Sequence, residues 1–365
     1  MFMFRRRLGV LAASVALIAS IATRAQAAGY HQTNLVSNGV VPAVTTDPTL
    51  KNPWGIAFFP GLSPFWVNDN NAGLSALYTG DGAIFAPLPS VIIPSPSSAT
   101  GGTPTGIVAN LFFGSGAFPI GTTGPSLFIF ATEDGTIEAW SQTITDIGSA
   151  VIVVDNSSPK KKKGAVYKGL ALATNSASQP QLYATNFRSG RIDVFDTNFQ
   201  PVKVKKKLFH DNKVPESYAP FGIQNIDGNL WVTYAKQNGA KHDDKAGPGR
   251  GFVDVFDGDG NLMQRFARKG ALNSPWGVAK APASFGDFAN DILVGNFGDG
   301  TINAFDPTSG SFIGAVSDSM GTPIVIDGLW SVTFGGALLS SADTLYFTAG
   351  PNGEVDGIFG AIDPN

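Results

Sequence analysis

The sequence predicts an all-β fold, a six-bladed β-propeller of four-stranded blades. Three observations carry that prediction. A three-strand pattern with a central glycine recurs six times, a fourth apolar run follows five of the copies, and the sixth copy stops one strand short. Composition agrees. The 365 residues include 44 Gly and 24 Pro, with 43% hydrophobic and 11% aromatic residues. Such a chain has too many apolar groups to stay disordered, and its turn formers suit many short strands. Cysteine is absent, so disulfide frameworks, zinc-finger sets and cysteine nucleophiles are excluded.

The first 27 residues read as an address. Arg5, Arg6 and Arg7 precede an apolar stretch from Leu8 to Ala22, and Ala25-Gln26-Ala27 has the small-x-small pattern of a signal-peptidase site. The apolar stretch is shorter than the roughly 20 residues that span a bilayer. Cleavage after Ala27 is expected, leaving one propeller domain over 28–365 with no later transmembrane segment. The leader holds four arginines and no acids, so the mature chain has a net charge of −7 against −3 for the whole. That charge argues against a nucleic-acid partner. A secreted or periplasmic monomer is expected.

The repeats follow in order. The first runs through Asn52-Pro53-Trp54-Gly55-Ile56-Ala57, then Phe65 to Asn70, then Leu74 to Tyr78. The second has Thr105 to Val108, Leu127 to Ala131 and Gly135 to Trp140; the third has Lys168 to Ala171, Gln181 to Asn186 and Gly190 to Phe195. The fourth has Pro220 to Ile223, Asn229 to Thr233 and Gly251 to Phe256; the fifth has Pro275 to Val278, Asp291 to Asn296 and Gly300 to Phe305. The sixth has Asp327 to Trp330, Thr344 to Thr348 and Gly353 to Phe359. The opening glycines, Gly55, Gly106, Gly169, Gly222, Gly277 and Gly328, are spaced by 51, 63, 53, 55 and 51 residues. Only the second unit is long enough to raise a seven-blade alternative, and it is too short for two blades.

The fourth strands are expected at Ser90 to Ile93, Ala150 to Val154, Pro201 to Phe209, Leu262 to Ala267 and Phe312 to Val316. The sixth unit lacks one. The segment Tyr30 to Val36 supplies it, so the N-terminal strand closes the ring and removes an exposed sheet edge. Glycine at the start of each inner strand suits a crowded channel. The neighbouring Trp54, Phe221, Trp276 and Trp330 are expected to wedge between blades, and the 27 Phe to fill the core.

These segments carry a resemblance. Leu50-Lys51-Asn52-Pro53-Trp54-Gly55, Tyr234-Ala235-Lys236-Gln237, and His242-Asp243-Asp244 through Gly247-Pro248-Gly249 to Gly251-Phe252-Val253-Asp254-Val255-Phe256-Asp257 resemble an uncharacterised family of exported bacterial β-propeller proteins. Some members of that family carry a C-terminal Pro-Glu-Pro sorting tail, which this sequence does not show. More distantly, the repeat is similar to NHL-type and metal-dependent gluconolactonase-like propellers. The resemblance implies a propeller and leaves the activity open.

Two groups of residues could carry chemistry. The insertion from Lys236 to Arg250 stands where other repeats have a tight turn, and it holds His242, Asp243 and Asp244, which could bind a cation or act as an acid–base group. A solvated loop is the alternative. The second group lies at the ends of the second strands: Asp69, Asn186 and Asn296, with Asn70 and Glu133 nearby and Ala131 and Ala349 at the equivalent position elsewhere. If these ends face one mouth of the channel, their oxygens suit Ca²⁺ or Mg²⁺; the alternative is that they make the turns. The runs Lys160 to Lys163 and Lys203 to Lys207 fit protection of outer strands, or contact with an anionic surface. Asn156-Ser157-Ser158 matches a glycosylation acceptor. No Gly-x-Ser-x-Gly elbow, P-loop or His-Glu-x-x-His is present. The functional expectation is a binding or scaffolding module for an extracellular ligand or protein, the alternative a divalent-metal-dependent, lactonase-like hydrolase at the channel mouth.

Overall fold

The computed structural model describes residues 29–158 and 164–365; the leader and Lys160 to Lys163 lie outside the described residues. Six sheets form the blades, each with four antiparallel strands running from an inner to an outer strand, and the last is extended at its edge by the two-residue strand Thr45–Thr46, which pairs parallel. The inner strands are Pro53–Ala57, Pro104–Ala109, Tyr167–Thr174, Tyr218–Ile226, Pro275–Lys280 and Leu329–Phe334. They neighbour one another in cyclic order, and the sixth packs back on the first. Among the described residues no helix is long and apolar enough to cross a membrane.

Closure is as the repeat count requires. Tyr30–Ser37 pairs antiparallel with Ile358–Pro364, from Tyr30 opposite Pro364 to Ser37 opposite Ile358, with a bulge between Asn34 and Val36. Tyr30, Leu35 and Val36 bury their side chains, and the Tyr30 hydroxyl donates to the Phe285 carbonyl at 3.0 Å. A short hairpin, Pro94–Ser95 with Ser98–Gly101, decorates the connection between the first two blades.

Adjacent blades are stitched near the axis by hydroxyls on the second strands. Thr185 Oγ1 accepts the Gly169 N–H of its own blade and donates to the Phe221 carbonyl of the next. Thr348 Oγ1 accepts the Ser331 N–H and donates to the Trp54 carbonyl, across the joint where the ring closes. The glycines are sterically required. A Cβ on Gly222 would lie 2.0 Å from the Trp276 carbonyl oxygen, and one on Gly55 2.6 Å from that of Thr105.

Four expectations need correction. In the sixth blade the position of the opening glycine is held by Ser331, between Trp330 and Val332, whereas Gly328 precedes the strand. The third strand of that blade is Ile358–Pro364, and Gly353 and Glu354 belong to a turn before it. The outer strand of the third blade is only Pro201–Val202, because Lys206 to Phe209 form turns. Finally, Trp54, Phe221, Trp276 and Trp330 do not wedge between blades; they meet one another in the channel.

Candidate functional site at the channel mouth

The reason lies in the pairing of the inner strands. In all six blades the register between first and second strands shifts across the residue pair that ends in the glycine position. Such a bulge re-aims a side chain. The residues before that position are Trp54, Thr105, Lys168, Phe221, Trp276 and Trp330, and all are buried. Trp54 stacks on Trp330 with ring centroids 3.4 Å apart, Trp276 meets both edge-on at 6.1 and 6.0 Å, and Phe297 stacks on Trp330 at 4.0 Å. With Phe187 and Phe221 these rings plug the channel.

Lys168 is the one charged residue among the six. Its Nζ lies 4.9 Å from the Trp54 ring centroid and 5.9 Å from that of Phe187, within cation–π range. The same ammonium is bonded to Glu133 Oε1 and lies 3.7 Å from Asp243 Oδ1. A buried ammonium needs such partners, because burial without them is costly.

Glu133 sits in the turn between the second and third strands of blade 2, and its Oε2 accepts from Asn70 Nδ2 at 3.2 Å. The blade 4 insertion lies over this point. It is tied down by Lys245 N–H to the Lys236 carbonyl at 2.7 Å and by Gly247 N–H to Asn273 Oδ1 at 2.6 Å. His242 Nδ1 and Asp243 Oδ1 are 2.6 Å apart, and His242 Nδ1 is 3.9 Å from Glu133 Oε1. The bond to His242 holds the Asp243 carboxyl down at about 2 against its partial burial, with help from the Lys168 charge. Asp244 is more deeply placed. Burial pushes its carboxyl up, opposed by the Ser274 hydroxyl and the Lys168 charge.

Glu354 completes the site from blade 6. It is reached through three successive residues with positive φ, Asn352, Gly353 and Glu354 at 58°, 68° and 71°. Single non-glycine residues with positive φ occur in turns elsewhere in the chain, as at Ser178 and Phe199, but here three residues follow one another in that conformation. Glu354 Oε2 accepts from Asn52 Nδ2 at 2.8 Å, and Asn52 Oδ1 accepts from Trp330 Nε1 at 2.8 Å, so the aromatic plug positions the carboxylate. Burial raises the Glu354 pKa; the Asn52 bond opposes this, Glu133 adds to it, and Lys168 opposes it.

The structure therefore brings His242 and Asp243 together with Glu133, with Asp244 beside them and Asn70 supporting Glu133. Asp69, Asn186 and Asn296 serve their own blades. Asp69 Oδ1 accepts the Lys51 N–H, Asn186 Oδ1 accepts those of Val166 and Ser189, and Asn296 Oδ1 accepts that of Asn273. Asn186 and Asn296 also spend their amide hydrogens, on Asp193 and on the Ala271 carbonyl. Of the three, Asp69 keeps one oxygen without a partner, and burial drives that carboxyl well up, towards the neutral form. These bonds are those of turn and loop caps. Lys168, Glu354 and Asn52 are additions that the sequence reading missed. Lys168 had a signal: it is the charged exception at an otherwise aromatic or hydroxylic repeat position. Glu354 had none, because its segment reads as strand.

Comparison with known proteins sets this geometry in context. No family model matches the chain. Among solved structures it is similar to the soluble aldose sugar dehydrogenase of Escherichia coli, with a TM-score of 0.53 and 11% identity over 92% of this chain and all of that one. It is also similar to a catalytically inactive variant of virginiamycin B lyase from Staphylococcus aureus, with a TM-score of 0.50 and 14% identity over 92% of this chain and 98% of that one. At these identities the likeness shows the propeller fold alone. In sequence, the uncharacterised protein L690 of Acanthamoeba polyphaga mimivirus is 32% identical over 337 residues, covering 90% of this chain and 84% of its own length. Protein R648 of the same virus is 31% identical over 90% of this chain and 78% of its own length. These relatives are viral, where the resemblance pointed to exported bacterial proteins. The chain belongs to the same propeller family as these mimivirus proteins.

Proposed function

We propose that this propeller is an exported ligand-binding module, acting in the periplasm or at the cell exterior, and that its ligand sits at the channel mouth. One observation supports this most. Glu133, Lys168, His242, Asp243 and Glu354 arrive from four different blades at a mouth closed beneath by stacked aromatic rings. Loops and turns on a rigid scaffold commonly carry binding function, and a few converging polar groups fix a ligand's orientation. The N-terminal leader pattern supports export. The test is a thermal-shift screen of small polar ligands, repeated on Glu133→Gln and Asp243→Asn. Ligands seated at the mouth lose most of their shift in both variants. If every ligand that shifts the native protein shifts both variants equally, the mouth is not the binding site.

The second reading is a divalent-metal-dependent hydrolase of lactonase type. It is favoured by three potential ligand atoms, from Glu133, His242 and Asp243, all within 4.8 Å of one another. Lactone hydrolysis that is abolished by chelator and restored by metal would support it. Hydrolysis indifferent to chelator, or none across a lactone panel, would remove it.

A further inference from the structure

We propose that Glu133, His242 and Asp243 form a site for one divalent transition-metal ion, and that the Lys168 ammonium is the resident cation with which this ion competes. The inference rests on the mouth being the functional site, and it names what that site holds.

The donor set selects the class of ion. Two carboxylates and an imidazole nitrogen suit Zn²⁺, Co²⁺ or Mn²⁺ better than Ca²⁺, which prefers a cage of oxygens. The geometry needs small adjustments. Tetrahedral ligands at bonds of ~2.1 Å stand about 3.4 Å apart. His242 Nδ1 lies 2.6 Å from Asp243 Oδ1 and 3.9 Å from Glu133 Oε1, so one pair opens and the other closes by less than about 1 Å, while the Glu133 and Asp243 oxygens, within 4.8 Å of each other, close by up to about 1.4 Å. The side chains that move are free to do so, since His242 is 37% and Asp243 59% exposed.

The remaining oxygens are already held. Asn70 Nδ2 donates to Glu133 Oε2, and Asn238 Nδ2 donates to Asp243 Oδ2 at 3.1 Å. Outer partners of this kind orient ligating carboxylates. The charge balance leaves room for a cation, since a single ammonium faces the carboxylates of Glu133 and Asp243 directly. Three protein ligands would leave a tetrahedral ion one open position where a ligand group could bind.

The experiment uses untagged protein stripped with chelator and titrated with Zn²⁺, Co²⁺ and Ca²⁺. Binding of one equivalent of Zn²⁺, a visible tetrahedral Co²⁺ absorption, and Ca²⁺ at least roughly tenfold weaker are expected. His242→Ala and Glu133→Gln each weaken Zn²⁺ binding by about 100-fold, while His210→Ala changes nothing. Lys168→Gln removes the competing charge and tightens binding about tenfold. Absence of Zn²⁺ and Co²⁺ binding, binding unaffected by His242→Ala, or tightest binding of Ca²⁺ would each overturn the site. Weaker binding in a folded Lys168→Gln protein would overturn the competition. A polar ligand whose mouth-dependent shift persists in chelator would leave the binding reading standing without the metal; a stoichiometric metal with no ligand shift would do the reverse.

Discussion

The same six inner strands build both ends of the channel, yet the two ends carry opposite chemistry. At the mouth lie Lys168, three carboxylates and a histidine. At the far end is a cavity of about 640 Å³ whose wall includes Ile56, Ile107, Leu172 and Val278, with a charged pair, Lys280 and Asp227, at 2.5 Å. The difference teaches where function is written in this fold. The bulges of five inner strands turn Trp54, Lys168, Phe221, Trp276 and Trp330 towards the axis, while Thr105 bonds backbone carbonyls of its own and the next blade, and the adjacent blade turns supply the rest. Beyond the bulge, strand alternation commits side chains to packing. Chemistry at the mouth therefore depends on one position per blade and a few turn residues.

The largest perturbation should erase the comparison by destroying both ends. Deleting residues 28–38 removes the outer strand of the last blade and exposes what Tyr30, Leu35 and Val36 cover. At about 1.5–3 kcal/mol for each buried side chain, the melting temperature should fall by on the order of 10 °C or more. An unchanged melting curve would show that this strand does not hold the ring. Trp330→Ala comes next. It should cost about 3–5 kcal/mol and also weaken ligand or metal binding, because Asn52 loses the indole that orients it towards Glu354. Leu172→Ala, at the far end, should cost about 2–4 kcal/mol and leave mouth binding intact. Urea unfolding combined with metal titration separates the two.

Lys168→Met should cost about 1–3 kcal/mol, less than the full penalty for breaking a buried pair, because Glu133 retains Asn70 and some solvent contact. A stability change with pH should come instead from blade 4. Burial, then the charge of Asp211, pushes the Asp254 carboxyl up to about 7. The unfolded chain loses that proton near pH ~4, whereas the folded protein keeps it, so stability falls as pH rises from about 4 to 7. Asp211 works in the other direction: against its burial, Arg265 and Arg268 hold it at about 2, so its contribution is full above about pH 4 and lost as pH falls through about 2. Asp254→Asn should flatten the fall between about pH 4 and 7, read by chemical denaturation at several pH values; an unaltered slope would place the titration elsewhere. The smallest effect is expected for His242→Ala, within about 0.5 kcal/mol, since the ring is substantially exposed. A larger loss would mean that the insertion braces the ring as well as crowning the mouth.

How much of this was legible depends on range. The glycine repeat and the unpaired sixth unit gave the blades and the closing strand, because strand period and turn chemistry are local. The insertion with His242 and Asp243 stood out as a break in that repeat. The segment at Glu354 misled for the same local reason: Gly353-Glu354-Val355-Asp356 alternates like a strand, and contacts with Asn52 and Asn71 from the far end of the chain, with Asp327 and with its own neighbours, hold it as a left-handed turn. The reading of Asp69, Asn186 and Asn296 as a shared set also depended on where their oxygens point, which neighbouring backbone N–H groups decide.

By itself, the sequence determined the number of blades, their strand order and the strand that closes them, since these follow from periodicity and from the need to leave no open edge. The tertiary structure decided that the tryptophans plug the channel, that Lys168 stands among them, and that Glu133, His242, Asp243 and Glu354 meet above it. These residues lie up to 221 positions apart in the chain. Their approach is set by bulges and ring closure, which no local pattern records.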